Sequence, residues 1–446
     1  MKKRPVPTEE LVFSAEHLNN RGQFQAWRSN DTPARCYSVA PQDRALCMIG
    51  GKKRGARQAW LRQVLEPGSD RREAVCPHFG FCGGCTLQHI EYSKQVLLKA
   101  APIEAALRNL APQVKILPVQ EAPTPWYYRS KVELSFIDDR LGFNIRGLFQ
   151  KVTDVDECFI GPPSNREVIA RVRQWQKKHN FPGWNPKSNS GFLRYLVIRY
   201  SFYRRQFLVA LVTTRPTSFT LGETDNPLQE LARELMEIEG ATGIIHVIHD
   251  SISPVASGEE EYLLVGQAEI QERVNDLEFS LGWRSFFQSN PPAYAHMLRT
   301  ARQWVGYQEK ILDLYCGVGS IGLSLEGHLI GVEAVPQAIE HAKRNAARLG
   351  HSAEFYCANS EDWPSLGCSL LILDPPRSGC HPKMIERVVN EGPERLLYIS
   401  CNCHRFIEEY ATLQKAYHLV QAQLYDFFPH TPHIETLMLL EKVSKE

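Results

Sequence analysis

Past residue 283 the chain alternates short apolar runs with helical patterns, and few architectures accommodate that rhythm. Lys310 to Tyr315 reads as a strand, followed by Cys316-Gly317-Val318-Gly319-Ser320-Ile321-Gly322, which should open a helix. Leu329 to Glu333 is a second strand. Pro336 to Leu349 is an amphipathic helix with proline in its first turn and Gly350 at its end. Glu354 to Tyr356, Leu370 to Leu373 and Leu396 to Ile399 supply further buried strands, with helices at Lys383 to Asn390 and Arg405 to Lys415. His418 to Phe427 and His433 to Leu440 have no helix between them and should pair antiparallel at one edge. The expectation is an α/β domain over 283–446, a doubly wound sheet ending in a hairpin.

Upstream the patterns change. Residues 1–74 carry short alternations broken by Gly, Pro and Asp, which suits a small β-rich module. This segment holds fourteen Lys and Arg against eight Asp and Glu, although the whole chain is nearly neutral at +1. A basic end on a neutral chain hints at a polyanionic partner; a solvated surface is the equal alternative. Residues 75–282 form the second expected unit, mixed α/β. It should contain a helix near 91–112, interrupted by Pro102 and packing on the C-terminal domain, then helices at Arg166 to Lys178 and Pro227 to Glu239. Strands are expected at Tyr127 to Phe136, Leu193 to Tyr200, Gln206 to Thr213 and Gly243 to Ile248. Arg194, Arg199, Arg204 and Arg205, interleaved with Tyr195, Tyr200 and Tyr203, mix stacking platforms with phosphate partners, or else mark the charged face of an ordinary sheet.

No apolar run reaches the roughly 18 residues of a membrane span, and Met1-Lys2-Lys3-Arg4-Pro5 lacks the apolar core of a secretory signal. A cytoplasmic monomer is expected. In that compartment the twelve cysteines stay reduced, so clustered ones read as metal ligands or nucleophiles. Cys76, Cys82 and Cys85 lie in a glycine-rich loop whose backbone can curl several thiolates onto one centre. Cys158 is a candidate fourth ligand. The spacing alone leaves an iron–sulfur cluster and zinc, the latter with His78 or His89, as occupants. Cys401 ends the apolar run Leu396 to Ile399 just before a helical pattern. Such junctions lie at the carboxyl edge of an open sheet, where a thiol can be presented as a nucleophile; a buried structural cysteine is the plainer alternative.

Gly317-x-Gly319-x-x-Gly322 satisfies the dinucleotide fingerprint, which by itself is weak. Asp313 stands inside the preceding strand, Glu333 ends the next, Asn359 to Asp362 follow the third, and Asp374-Pro375-Pro376-Arg377 ends the fourth. Polar residues at four successive strand ends fit an S-adenosylmethionine (SAM) site, with the acid after the second strand on the ribose hydroxyls. A nicotinamide enzyme would not need them.

The combination Leu312 to Gly319, Asp374-Pro375-Pro376-Arg377-Ser378-Gly379, Ser400-Cys401-Asn402 and His433-Ile434-Glu435-Thr436 resembles the RNA uracil-5-methyltransferases. The loop Cys76 to Cys85 resembles the branch of that family with a 4Fe-4S cluster, which includes the bacterial 23S ribosomal RNA enzymes. Cys403 departs from the family, where proline usually follows Ser-Cys-Asn. The resemblance implies a Rossmann-like methyltransferase domain, Cys401 as nucleophile and Glu435 as base. It also implies SAM contacts from Gln288, Tyr315, Gly317, Gly319, Ser320, Glu333, Asn359 and Asp374, and cluster ligands Cys76, Cys82, Cys85 and Cys158. Residues 1–74 would be a degenerate RNA-binding barrel of the TRAM (OB-like) type. The expected activity is methylation of a uridine in structured RNA, 23S ribosomal RNA first, with transfer RNA or a non-catalytic iron–sulfur RNA-binding protein as rivals.

Overall fold

The computed structural model describes residues 7–14, 18–148, 150–223 and 225–443; the Met1 to Pro5 stretch lies outside them. The first five strands are β1 (Thr8–Val12), β2 (Phe24–Trp27), β3 (Pro33–Cys36), β4 (Arg44–Lys53) and β5 (Ala56–Glu66). They form one sheet in the order β1-β4-β5-β3-β2, so the amino-terminal module is β-rich as its alternations predict. Inward residues such as Phe24, Cys36, Cys47 and Ile49 make its core, closed by Leu87 and Ile90 from the next segment.

Helix α1 (Tyr92–Leu110) runs without interruption through Pro102, which sits on its exposed face. There the carbonyl left without its amide partner can turn to water. The opposite face buries Ala100, Ile103 and Leu107 against the carboxy-terminal sheet. Strand β6 (Lys115–Gln120) follows.

The central unit comprises β7 (Lys131–Ile137), β8 (Arg140–Asn144), β9 (Val152–Asp154), α2 (Asn165–His179), β10 (Leu193–Ser201), β11 (Gln206–Thr213), α3 (Pro227–Met236), β12 (Ala241–Ile248) and β13 (Glu260–Gly266). Its seven strands run β13-β12-β11-β10-β7-β8-β9. One face packs on α2 and α3. The other packs Tyr195, Val197, Ala210 and Val212 against Trp283. With both faces covered, every residue of β10 is buried. That removes Arg194, Arg199, Tyr195 and Tyr200 from any exposed stacking surface, and only the turn residues Tyr203, Arg204 and Arg205 reach solvent. Arg194 is instead structural: it donates to the carbonyls of His249 and Ser253 at 2.6 and 2.9 Å and lies 4.3 Å over the Trp184 ring.

A hairpin, β14 (Glu269–Val274) with β15 (Leu277–Gly282), and helix α4 (Pro291–Val305) lead into the last unit. It contains β16 (Gln308–Leu314), β17 (Gly327–Glu333), α5 (Pro336–Leu349), β18 (Ala353–Cys357), β19 (Leu370–Leu373), α6 (Pro382–Glu391), β20 (Arg395–Ser400), α7 (Cys403–Leu413), β21 (Tyr417–Tyr425) and β22 (Glu435–Lys442). The sheet order is β18-β17-β16-β19-β20-β22-β21-β6, parallel from β18 to β20, with β22 antiparallel to both its neighbours.

Two expectations fail here. The glycine loop leads only into a single 3-10 turn, Gly322–Ser324, because β17 already begins at Gly327 and leaves no length for an α-helix. The final hairpin is not the edge of the sheet: β6 adds to β21 in parallel, with Ala422 opposite Ile116. No helix among the described residues is long and apolar enough to cross a membrane.

Candidate active site

Parallel strands place all their carboxyl ends on one edge, and an antiparallel strand brings its first residue to that same edge. The sheet thereby collects Tyr315 after β16, Glu333 at the end of β17, Asn359 after β18, Asp374 after β19, Cys401 after β20 and Glu435 at the start of β22. Ser400 stands opposite Thr436 in the β20–β22 ladder, so Cys401 and Glu435 leave adjacent strands side by side. The sequence separated them by more than thirty positions, and the register joins them.

Cys401 is partly exposed and lines a small pocket with Arg377, Asn402, His404 and His433. Asn402 holds the approach by donating its side-chain amide to the Arg377 carbonyl at 3.0 Å. The Arg377 guanidinium lies 2.9 Å from Nδ1 of His433. Burial raises the Cys401 thiol to about 12, helped by the charges of Glu435 and Asp374 and opposed by Arg377. Glu435 is 2% exposed, and burial with the nearby Asp374 charge lifts its carboxyl well above the usual range. Burial and Arg377 hold His433 neutral, down to about 4. Cys403 borders the same pocket but is 3% exposed, packed in the core at the start of α7.

The glycine loop is built for close approach. Gly317 and Gly319 both have positive φ, at 56° and 81°. A Cβ on Gly319 would lie 3.0 Å from the Phe355 ring, whereas one on Gly317 would meet nothing within 4 Å, so the loop leaves an open cradle there. Glu333 braces it by accepting from Gly317 N at 3.1 Å and from Val335 N at 3.0 Å. Asp313 accepts from Gly322 N through one oxygen; its other oxygen is buried without a partner. Ser320 is tied to the buried Tyr294 hydroxyl at 2.7 Å. Burial and mutual repulsion raise Asp313 to about 8, and burial raises Asp374 to about 7. A crowd of buried carboxyls at one edge suits a cationic ligand, and the sulfonium of SAM is one. Gln288 is buried in the loop before α4, its carbonyl accepting from the Ser130 hydroxyl at 3.3 Å. Asn359 is exposed and bonds Asp362 at 2.9 Å.

Cys76, Cys82, Cys85 and Cys158 all line a second cavity of about 420 Å³, far from Cys401 in the sequence and outside its pocket. Their thiols are raised by burial, Cys85 to about 12 and Cys158 to about 11. The backbone carbonyl of Cys85 accepts from Arg146, whose Nε and Nη1 are buried without partners. His78 also borders this cavity, but His89 does not: its Nε2 contacts the Val39 carbonyl at 2.8 Å. Among the described residues no three His, Cys, Asp or Glu side chains close on a single ion.

Sequence reasoning missed four contributors. Lys99, Asn19 and Asn20 border the Cys401 pocket from α1 and the amino-terminal module, some three hundred or more positions away. Tyr294 sits among the charges of Asp374, Asp313 and Glu435, and burial raises its hydroxyl well above the usual range. No local motif marks any of them.

Residues 342–443 match the family model described as tRNA (Uracil-5-)-methyltransferase. An uncharacterized RNA methyltransferase of Clostridium acetobutylicum is 31% identical over 86% of this chain and 87% of its own length. The tRNA (uracil(54)-C(5))-methyltransferase of Pyrococcus furiosus is 31% identical over 91% of this chain and 94% of its own. The crystal structure of the Pyrococcus abyssi tRNA (uracil-54, C5)-methyltransferase with S-adenosyl-L-homocysteine superposes with a TM-score of 0.78 at 27% identity, covering 97% of this chain and 100% of that one. With an acid-lined glycine cradle and a thiol and a carboxyl at one sheet edge, the chain belongs to the RNA uracil-5-methyltransferases, which use SAM to methylate C5 of uracil in RNA.

Proposed function

We propose that Cys401 and Glu435 perform the methylation, on a uridine of 23S ribosomal RNA, and that a 4Fe-4S cluster occupies the four-cysteine cavity. The observation that carries the catalytic assignment is the β20–β22 register, which sets the two side chains at neighbouring strand ends. C5 of uracil is a poor nucleophile. Both groups must first ionise, their protons passing to solvent. Bond formation between the Cys401 thiolate and C6 then moves the ring's electron pair toward C5 and O4, so C5 can attack a methyl group. SAM supplies that methyl as an electrophile, leaving as S-adenosylhomocysteine. Glu435, as its carboxylate, takes the C5 proton, the C5–C6 double bond re-forms, and the Cys401 thiolate is expelled. The Arg377 guanidinium is the cation at hand to favour that thiolate. Asp313, Glu333 and Asp374 would hold the donor, with Tyr315, Ser320, Asn359 and Gln288 completing the site. The target base must leave its stack to enter the pocket.

An all-thiol donor set supports the cluster, and the turning away of His89 weakens a Cys/His zinc site. Methyl transfer needs no electron, so the cluster's place is structural, with Cys158 tying the central unit to the Cys76 to Cys85 loop. Purified anaerobically, the protein should be brown; colourless protein with stoichiometric zinc would overturn the cluster. In this reading the units are 1–74, 75–282 and 283–446, the first contacting RNA through the Asn19 loop, in a cytoplasmic monomer.

Transfer RNA is the second reading, favoured by the names of the Pyrococcus relatives. Incubation with radiolabelled SAM and total RNA from a modification-deficient strain separates the two. Label in 23S ribosomal RNA supports the first, and label in transfer RNA alone moves the substrate. No label in any RNA after reconstitution with iron and sulfide would sink the catalytic assignment.

A further inference from the structure

The cavity that holds the four cysteines extends past them to a second wall of a different kind. That wall carries Lys131, Arg199, Arg284, Ser285 and Phe286. Lys131 and Arg199 stand directly opposite each other on β7 and β10, on the same face of the sheet. Like charges in that position repel, and a sheet gains nothing by the pairing. Arg199 is 1% exposed, and its single bond is from Nη2 to the Ser285 carbonyl. Its Nε and Nη1 are buried and donate to nothing. Glu133, which also lines the cavity, and Glu272 offset the charge of Arg199 through space, but neither bonds it. Glu133 binds Lys131 at 2.6 Å, Glu272 accepts from the amides of Phe202, Tyr203 and Arg273, and Glu261 lies 3.4 Å from Arg284. Glu157 also borders the cavity, and its side chain takes the Tyr127 hydroxyl at 2.6 Å. A buried guanidinium with two idle donors, beside a lysine on the neighbouring strand and lining the same cavity, is an arrangement that an oxyanion completes.

We propose that Lys131, Arg199 and Arg284 form a phosphodiester-binding subsite for the RNA substrate, in the part of the cavity beneath the Ser285 to Ser289 loop. The proposal rests on the RNA methyltransferase reading above. Its consequence is local: Arg199 also grips the Ser285 carbonyl, three residues before Gln288, so an RNA phosphate and the Gln288 loop share one anchor. Phosphate contacts fix register and carry no sequence information, which suits a site remote from the target base in the fold.

The test uses the full chain reconstituted with iron and sulfide, with Lys131→Gln and Arg284→Gln, both at half-exposed positions, and Arg199→Lys. Binding of unmodified 23S ribosomal RNA and transfer RNA transcripts is measured between about 50 and 200 mM salt. Each glutamine variant should weaken RNA binding about tenfold and lower the log–log salt slope by about one, with SAM affinity unchanged. Arg199→Lys should keep the wild-type slope. Unchanged affinity and slope in both glutamine variants, while the wild type still methylates RNA, would overturn the subsite alone. A wild type that binds and methylates no RNA would overturn the underlying reading instead. Protection of the wild type by inorganic phosphate against thermal unfolding, lost in the variants while their RNA slopes stay unchanged, would assign the wall to a free oxyanion and overturn the RNA assignment.

Discussion

Cys401 and Cys403 are two positions apart, chemically identical and border one pocket, yet the fold buries them differently. Cys401 follows the end of a strand partly exposed, and Cys403 opens α7 buried in the core. Cys401→Ser should therefore abolish turnover, because the serine hydroxyl is a far weaker nucleophile at neutral pH, while Cys403→Ser keeps most of it; equal loss in single-turnover assays would reassign the nucleophile. The raised carboxyls make a second prediction, with a definite sign. Asp374 near 7 and Asp313 near 8 are substantially protonated at slightly acid pH. A cationic ligand favours their ionised forms, so SAM affinity should climb from about pH 6 through 8 and level only about a unit above the Asp313 value, as the carboxylates finish ionising. S-adenosylhomocysteine has the same amino group but no sulfonium, and its affinity should climb less. Calorimetric titration of both ligands across that range checks it, and parallel curves would count against the carboxylate cradle. The same groups bear on stability. Their folded pKa values lie above the unfolded ones, so the stability they contribute is present below about 4 and lost as pH rises through 7 to 8.

At the scale of elements, α1 is a strut for the loop that leads into Glu435. Lys99 and Asp426 are both fully buried, 2.6 Å apart, and Lys99 also bonds the Phe428 carbonyl. Asp426 opens the connection from β21 to Glu435, and its second oxygen has no partner. Removing one member of such a pair strands the other, at about 3–5 kcal/mol. Lys99→Met should lower the melting temperature by many degrees, and Lys99→Met with Asp426→Asn should recover most of it. If the double variant melts as early as the single, the pair is not what fixes α1. Much of this level was legible beforehand. Proline at the start of α5 and Gly350 at its end, with φ of 62°, bounded that helix to the residue. The β19 and β20 runs were equally plain, because strands buried on both faces read as unbroken apolar stretches. The helix after Gly322 misled because the fingerprint describes a loop and says nothing of the length behind it. Arg194 misled because a charged residue in a strand is assumed to point outward until the covering layers are known.

Across the whole molecule, the pairings that complete the active site join distant segments, and no window of sequence displays them. β6 borders β21, α1 covers the same sheet, and Asn19 and Asn20 reach the Cys401 pocket. Segments from before residue 283, α1 and β6, therefore belong to the packing of the last sheet. A fragment of 283–446 would expose the β21 edge and the apolar surface that Ala100, Ile103 and Leu107 cover. It should aggregate and show no cooperative melt, and supplying 91–121 as a fused segment should restore solubility. A soluble, cooperatively melting fragment would show that the sheet closes without its amino-terminal contribution. Strand β22 belongs in the middle of the sheet, between β20 and β21, so until it docks the strands on its two sides are separate half-sheets. The same docking sets Glu435 beside Cys401, so closing the sheet and assembling the candidate site are one folding event.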